Sequence, residues 1–374
     1  MAAAMSSTFP SSIPICDPHF HVWDNKANIK NTNLGGIADG PLGVYLSERL
    51  LQAASGLPLV AAVHVETVVG QKAGGQVIDT VEETRFVLRD TAAFGPARAV
   101  GVCAYVHLGR EDAAAVVAAH LAAAHERLVG VRMILNFHAS DASLTWPQVD
   151  SDDYLKGRVP AFADSLKLLH RLGLVYDVHA NWFQFEDAAA LFTSLGPRLP
   201  SVVVDHLGCP KLNSGSEAED AARVAAWKAG LSALAKLPQV NVKISGLEYI
   251  YGGWLEKGSK AREVVKGLVF WVLDTFSPSR CMVASNFPVD LAMGGKVSAC
   301  TAWNSARARS LTCPPPLFVT HHAAHNRTLA SCTVACTTCW QSTGLQRPLT
   351  RGTCASCFMT LQCACMAWPG CTPQ

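Results

Sequence analysis

Eight short apolar runs, each separated from the next by a longer stretch, recur through the first 290 residues, and this alternation restricts the fold more than any other feature of the chain. The runs are residues 13–19, 59–66, 99–106, 129–135, 174–179, 201–206, 240–245 and 281–285. They are too short for helices and too continuously apolar for a strand with one wet face, so they read as strands covered on both sides. Several of the stretches between them are Ala- and Leu-rich with helical spacing, at 77–91, 112–126, 161–171, 185–195, 217–236 and 261–276. Parallel strands need such crossovers, and repeated strand–helix units build a parallel sheet. Gly173, just past one helix and just before a strand, suits a left-handed stop. Eight units over a span near the roughly 250 residues usual for such barrels predict an α/β fold of the (β/α)8 TIM-barrel type. An open doubly wound sheet is the alternative, but no Gly-x-Gly-x-x-Gly follows the first run, which weakens a dinucleotide-binding version.

A chain of 374 residues can bury a large core and accommodate one barrel with additions, or two domains. Charge divides it unevenly. All 29 acidic residues precede residue 291, whereas the last part carries six basic residues (Lys296, Arg307, Arg309, Arg327, Arg347, Arg351) and no carboxylate. Ten of the 14 cysteines also lie there, between Cys300 and Cys371. The other four (Cys16, Cys103, Cys209, Cys281) sit in apolar settings, as reduced core thiols do. The expected organisation is a disordered N-terminus at 1–12, a barrel at 13–290 and an acid-free tail at 291–374. A net charge of +2 without a basic stripe argues against nucleic acid. No run of about 18 apolar residues suggests a membrane span. The opening residues are too short before the first strand for a secretory signal, so a soluble cytoplasmic protein is expected.

In a barrel of this kind, functional side chains gather at the C-terminal ends of the strands. Those ends here carry His19 and His21, His64 and Glu66, Arg132 with Asn136 and His138, His179, Asp205 and His206, Lys243 and Ser245, then Ser285 and Asn286. Side chains at i and i+2 of a strand point the same way, so His19 and His21 can hold one cation or one oxyanion. A regular strand sends Asp205 to the face opposite His206, which reads as a structural role. Glu66 at an apolar strand end suits a general acid or base, or an ion pair with a neighbouring cation. Arg132 and Lys243 are costly to bury alone. They read either as grips for a substrate carboxylate or as members of internal salt bridges. Trp182, Phe183 and Trp23 follow strand ends and could wall a ring, although loop aromatics more often serve packing.

The motifs Asp17-Pro18-His19-Phe20-His21-Val22-Trp23-Asp24, Val131-Arg132, Val204-Asp205-His206-Leu207-Gly208-Cys209-Pro210, Val242-Lys243-Ile244-Ser245-Gly246-Leu247 and Ser285-Asn286-Phe287-Pro288-Val289-Asp290 resemble, in this order, the amidohydrolase-related TIM-barrel family. The resemblance is strongest to its sugar-lactonase and pyrone-dicarboxylate-lactonase branch. It implies a hydrolase that opens a small lactone or related cyclic ester by water attack on the carbonyl. It implies His19, His21, His179 and His206 as active-site residues, with His19, His21 and His179 as ligands of a divalent metal, zinc first, or no metal at all. Arg132, Glu66, Lys243 and Trp182 would bind the substrate, a lactone or carboxylated ring. Other barrels of the superfamily imply a metal-dependent decarboxylase, and a non-catalytic ligand-binding barrel is a third reading.

The chain departs from the family pattern after the eighth strand. Many members carry Ser-Asp there, the Asp serving as metal ligand or base; here the pair is Ser285-Asn286. An amide takes no proton near neutral pH and is a poor ligand for a tight zinc site. Asp290, Glu66, Glu248 and His206 are the replacement bases to weigh, with Asp290 read equally as a helix-cap or loop carboxylate.

The tail from residue 291 shows no helical period where the barrel needs its closing helix. Cys336-x-x-Cys339 and Cys354-x-x-Cys357 have paired-ligand spacing for zinc, but no single set of four is defined. A solvated disordered tail would carry less Cys, Trp and Leu. Excess Cys, Ser, Thr, Pro and Arg without acids fits best with translation of an intron or a shifted frame in a gene model.

Overall fold

Strands with both faces buried can pair only in a sheet that helices cover, and the chain does this by closing the sheet on itself. The computed structural model describes residues 14–24, 43–67, 80–146, 149–254, 256 and 258–290. Eight strands, Ile15–Phe20, Leu59–Val65, Ala99–Tyr105, Leu128–Ile134, Val175–His179, Val202–Val204, Val240–Ile244 and Cys281–Val283, pair in sequence order, every pair parallel. The eighth meets the first through a parallel bridge between Phe20 and Phe287, where His21 N donates to Phe287 O at 2.7 Å. Ser285 N and Oγ add hydrogen bonds to the buried Asp17 carboxylate at 3.0 and 2.5 Å. The result is a nearly closed (β/α)8 barrel, as the alternation predicts.

The helices form where the spacing places them. Pro160–Leu172 buries Phe162, Leu166 and Leu169, one apolar stripe at i, i+4 and i+7, against the outer face of the barrel. It begins with Pro160 at its first position, and Gly173 at φ +66° stops it in the left-handed conformation the sequence suggests. Lys260–Phe276 repeats the pattern with Ala261, Val265, Leu268, Val272 and Phe276. Ser259 caps it by accepting from Arg262 N at 3.1 Å.

Two elements escape the periodicity. The helix Ser47–Ala53 is only two turns long, and an antiparallel two-residue ladder joins Trp23–Asp24 to Val44–Tyr45. Trp23 is fully buried in that ladder with its ring 5.6 Å from Tyr45, so it belongs to the packing. The sixth and eighth strands are shorter than the apolar runs because the backbone turns to positive φ at His206 (+52°) and Asn286 (+47°). The expected 1–12 segment and the Cys-rich segment from 291, with the zinc spacings noted in it, lie outside the described residues. Among those described, no helix is long and apolar enough to cross a membrane.

Candidate active site

The first strand carries His19 and, just beyond its end, His21 into the barrel, as a two-residue period requires. Their Nε2 atoms lie 3.1 Å apart. His21 Nδ1 lies 2.7 Å from Val65 O, and because a carbonyl only accepts, Nδ1 carries the proton. In the neutral ring Nε2 therefore presents a lone pair toward His19 Nε2 and toward Asn286 Oδ1 at 3.2 Å. His19 Nδ1 lies between Lys243 Nζ at 3.3 Å and Asp205 Oδ1 at 3.4 Å. It either accepts from the ammonium or donates to the carboxylate, and the choice sets which tautomer faces His21. Burial holds both imidazoles well below their ordinary pKa, so both are neutral near pH 7.

Below this pair the barrel is filled by ions rather than hydrocarbon. Lys243 is paired with Asp177 and, at 3.2 Å, with Asp205. Arg132 Nε donates to Glu66 Oε1 at 2.5 Å, its Nη2 to Glu66 O at 2.6 Å and its Nη1 to Asp205 Oδ2 at 3.2 Å. Burial works against Lys243, but Asp177 and then Asp205 hold it charged, above its ordinary value. Burial likewise works against the Asp205 carboxylate, and Lys243 and His19 keep it well below the usual range. Asp177 is pushed up to about 6 by burial.

These contacts revise three expectations. Lys243 is committed to Asp177 and Asp205 and does not line the cavity described below, so the internal salt bridge is its role rather than a grip on substrate. Arg132 and Glu66 do line the cavity, but they neutralise each other. Asp205 does not turn away from His206. The left-handed backbone from His206 through Cys209 breaks the strand alternation, so both side chains enter the barrel.

His206 follows the sixth strand, with its ring 4.7 Å from that of His19 and 5.1 Å from that of His179. Its Nδ1 is 2.9 Å from Ser245 Oγ. Gly246, at φ +61°, passes so close beneath the ring that a Cβ there would lie 2.6 Å from His206 Cγ. Burial holds His206 well below its ordinary pKa and brings His179 down to about 4. His179 Nε2 lies 3.8 Å from Cys209 Sγ, and its buried Nδ1 has no hydrogen-bond partner among the described residues.

Asn286 occupies the position after the eighth strand. Its Nδ2 donates to Asp290 Oδ1 at 2.7 Å while Oδ1 faces His21. Burial pushes Asp290 up to about 7, against the Asn286 hydrogen bond and with help from the charge of Glu248. Asp290 stands behind Asn286 and is not a cavity-lining residue, so it acts on the site through the amide. It does not face the cavity as a base would.

His21, His179, His206 and Asn286 line a cavity of about 280 Å³. Arg132, Glu66, Tyr249, Asn136, Thr145, Trp146, Cys209 and Lys211 line it as well. Trp182 is not among the lining residues; it packs against Phe183 and beneath the Arg223 guanidinium, at 5.1 Å. That corrects its expected contact with substrate. Cys209, Lys211 and Tyr249 were not foreseen as lining residues, and only their nearness to His206 and Ser245 in the chain hinted at them. Among the described residues, the one group of three metal-type donors whose ligand atoms lie within 4.8 Å of one another is His19, Asp205 and His206. The expected ligand set of His19, His21 and His179 is not such a group.

The amidohydrolase family model matches residues 16–295. An L-fucono-1,5-lactonase from Burkholderia ambifaria is 30% identical over 253 residues, covering 66% of this chain and 73% of that one. A crystal structure of an amidohydrolase from Burkholderia multivorans with bound HEPES superposes with a TM-score of 0.59 at 23% identity, over 87% of this chain and 99% of that one. A second crystal form of an amidohydrolase from the same organism, with bound zinc, gives 0.56 at 23% identity, over 81% and 100%. The two structures share the fold.

Proposed function

This chain belongs to the amidohydrolase family, and from that membership we propose that it is a hydrolase opening a small lactone or related cyclic ester. The observation that carries the reading is the convergence of three neutral imidazoles, His21, His179 and His206, with Asn286 on the wall of a cavity sized for a small ring. The lactonase names among the chain's relatives support it.

The chemistry needs a polarised carbonyl, an attacking water and a group that moves its proton. His179 donates a hydrogen bond to the carbonyl oxygen, where negative charge develops. His206, with Nδ1–H donating to Ser245 Oγ, keeps its Nε2 lone pair for the proton of the water as the water oxygen bonds to the carbonyl carbon. The ring C–O bond then breaks, His206 returns the proton to the leaving alkoxide, and a hydroxy acid results. Asn286, anchored by Asp290, orients the water through its amide oxygen.

The nitrogen donors also fit a divalent cation. Two Nε2 atoms 3.1 Å apart, with the Nδ1 of His21 on Val65 O and that of His19 within reach of Asp205, can both present lone pairs to one ion. His19 and His21 would hold it, zinc being the best match to imidazoles, and it would supply Lewis acidity to the carbonyl. With Asn286 in place of a carboxylate, the ion is held more weakly than in a site with an acid.

A panel of five- and six-membered lactones, offered to the full chain in a pH-indicator assay with and without added Zn²⁺, tests the reading. Turnover of at least one lactone, reduced by about a hundredfold or more in His206→Asn, is expected. No turnover of any lactone under either condition overturns it.

A further inference from the structure

A directed chain of hydrogen bonds runs through the two histidines of the first strand, and its direction is fixed at both ends. At one end His21 Nδ1 lies 2.7 Å from Val65 O and carries its proton there, so His21 Nε2 is bare. His19 Nε2 stands 3.1 Å from that bare nitrogen, and two lone pairs at that distance repel. Asn286 Oδ1, 3.2 Å from the same atom, has no proton to give. His19 Nε2 is the atom that supplies the hydrogen.

At the other end Lys243 Nζ is ion-paired with Asp177 and Asp205, so it is an ammonium and only donates. It lies 3.3 Å from His19 Nδ1, which is bare if it accepts. Asp205 Oδ1 competes for that nitrogen at 3.4 Å, yet it has no hydrogen-bond donor among the described residues. A doubly protonated ring would set an N–H against the ammonium. Both ends of the His19 ring therefore agree: the proton sits on Nε2 and the lone pair on Nδ1. His19, Lys243 and Asp205 are all buried, so bulk water does not supply other partners.

We infer that Lys243 is a positioning residue: by donating to His19 Nδ1 it closes His19 and His21 into one hydrogen bond, Nε2–H to Nε2, and masks both nitrogens from a divalent cation. The pair opens when the proton leaves His19 Nε2 and one forms on Nδ1, where the unsatisfied Asp205 Oδ1 accepts it. The ring gains and loses no net proton in this exchange. Lys243 and Asp205 thus offer His19 one partner for each state. In the closed state the lone pair of His21, a cavity-lining residue, is spent, so His21 does not take the proton of an attacking water. The tautomer follows from this geometry alone; its consequence for a cation rests on the nitrogen site in the function proposed above.

Two measurements on the full chain test this, and neither depends on turnover. The first reads the ring-nitrogen chemical shifts of the protein carrying ¹⁵N-labelled histidine, with His19 identified by the signals lost in His19→Gln. The metal-free wild type is expected to show a protonated, pyrrole-like Nε2 and a pyridine-like Nδ1 for His19, and added ZnCl₂ to move the proton to Nδ1. A protonated Nδ1 before zinc is added overturns the assignment. The second follows the same signals against buffered free Zn²⁺ in the wild type and in Lys243→Met/Asp177→Asn, with thermal unfolding as the check that both are folded. The double substitution removes one charge of each sign, so the net charge of the barrel interior stays as it was. Without the ammonium His19 donates to Asp205, and zinc should occupy the pair about tenfold more tightly, the worth of one hydrogen bond that no longer has to be broken. A lysine that merely fills the barrel would change Tm and leave tautomer and affinity alone, and that result overturns the positioning role. Should the double variant not fold, the metal-free wild-type spectrum still decides the tautomer. Zinc that perturbs the pair in neither protein overturns its opening together with the cation site, and leaves the hydrolase reading, carried by His179 and His206, to its own assay.

Discussion

Asn286 Nδ2 donates to Asp290 Oδ1 at 2.7 Å, and this bond turns the amide oxygen toward His21. The position after the eighth strand thus holds a neutral group, with an acid placed one step behind it. Asp290, raised to about 7, keeps its proton in the fold at pH values where the unfolded chain has lost it. Below about pH 4 both states are protonated, so the group costs nothing. Between about pH 4 and 7 the unfolded state binds fewer protons, and stability falls as pH rises. The cost levels off above about pH 7. Linkage bounds it at about 4 kcal/mol, and the partial exposure of Asp290 lowers that. Urea unfolding of the wild type and Asp290→Asn from pH 4 to 9 should give curves that diverge across that window and run parallel above it. Parallel curves throughout would contradict the assignment.

Replacing Asn286 with Asp should tighten zinc. The substitution sets a carboxylate oxygen 3.2 Å from a His21 nitrogen that already presents a lone pair, which completes a nitrogen–oxygen donor set. Without metal the new carboxylate confronts Asp290, so the two share a proton and the protein loses stability. Titration calorimetry with ZnCl₂ should show affinity at least about tenfold higher than wild type. Thermal unfolding should show a larger zinc-induced rise in Tm. Equal affinities would mean that His19 and His21 do not direct their lone pairs to one ion.

Gly246→Ala should cost activity beyond its cost in stability. The new Cβ would lie 2.6 Å from His206 Cγ and 2.7 Å from its Nδ1, at a residue whose φ of +61° already disfavours a side chain. The ring must move, and the bond to Ser245 Oγ loosens with it. A loss of about 1–3 kcal/mol in urea unfolding is expected. A fall in kcat of tenfold or more should persist at temperatures where the variant is fully folded. A variant that unfolds more easily but turns over lactone normally would remove His206 from the proposed proton transfer.

Lys243→Met should destabilise the barrel by roughly 3–5 kcal/mol, because it leaves Asp177 and Asp205 buried without their ammonium. Pairing it with Asp177→Asn should recover a large share of the loss, since the second change removes one of the stranded charges. Urea denaturation of the single and double variants at pH 7 measures the coupling. Losses that simply add would show that the two groups do not form a pair.

The order of elements and the barrel class were legible in the chain because they depend on local patterns. Apolar runs with helical stretches between them leave parallel pairing with crossovers as the way to bury both strand faces, and each of the eight strands lies on or within a residue of its run. The ends of those runs also located the histidines, since His19 and His21 share a face by the strand period alone. The two-turn helix Ser47–Ala53 was invisible because seven residues carry too little periodicity.

What the sequence by itself determined is therefore the scaffold and the kind of side chain at its mouth. Only the tertiary structure decided which charges are spent and which remain. Arg132 and Lys243 look like free cations in the chain, yet the carboxylates of Glu66, Asp177 and Asp205, from three other strands or strand ends, meet them in the barrel, because desolvated ions persist only when paired. Asp205 seemed to face away from His206 until left-handed backbone from His206 onward turned both inward. Lys211, unremarkable as sequence, became the uncompensated charge among the described lining residues because the fold brings it to the cavity wall beside Ser143 O rather than beside a carboxylate. Pairing across a closed barrel depends on residues tens to hundreds of positions apart, and no local pattern records it.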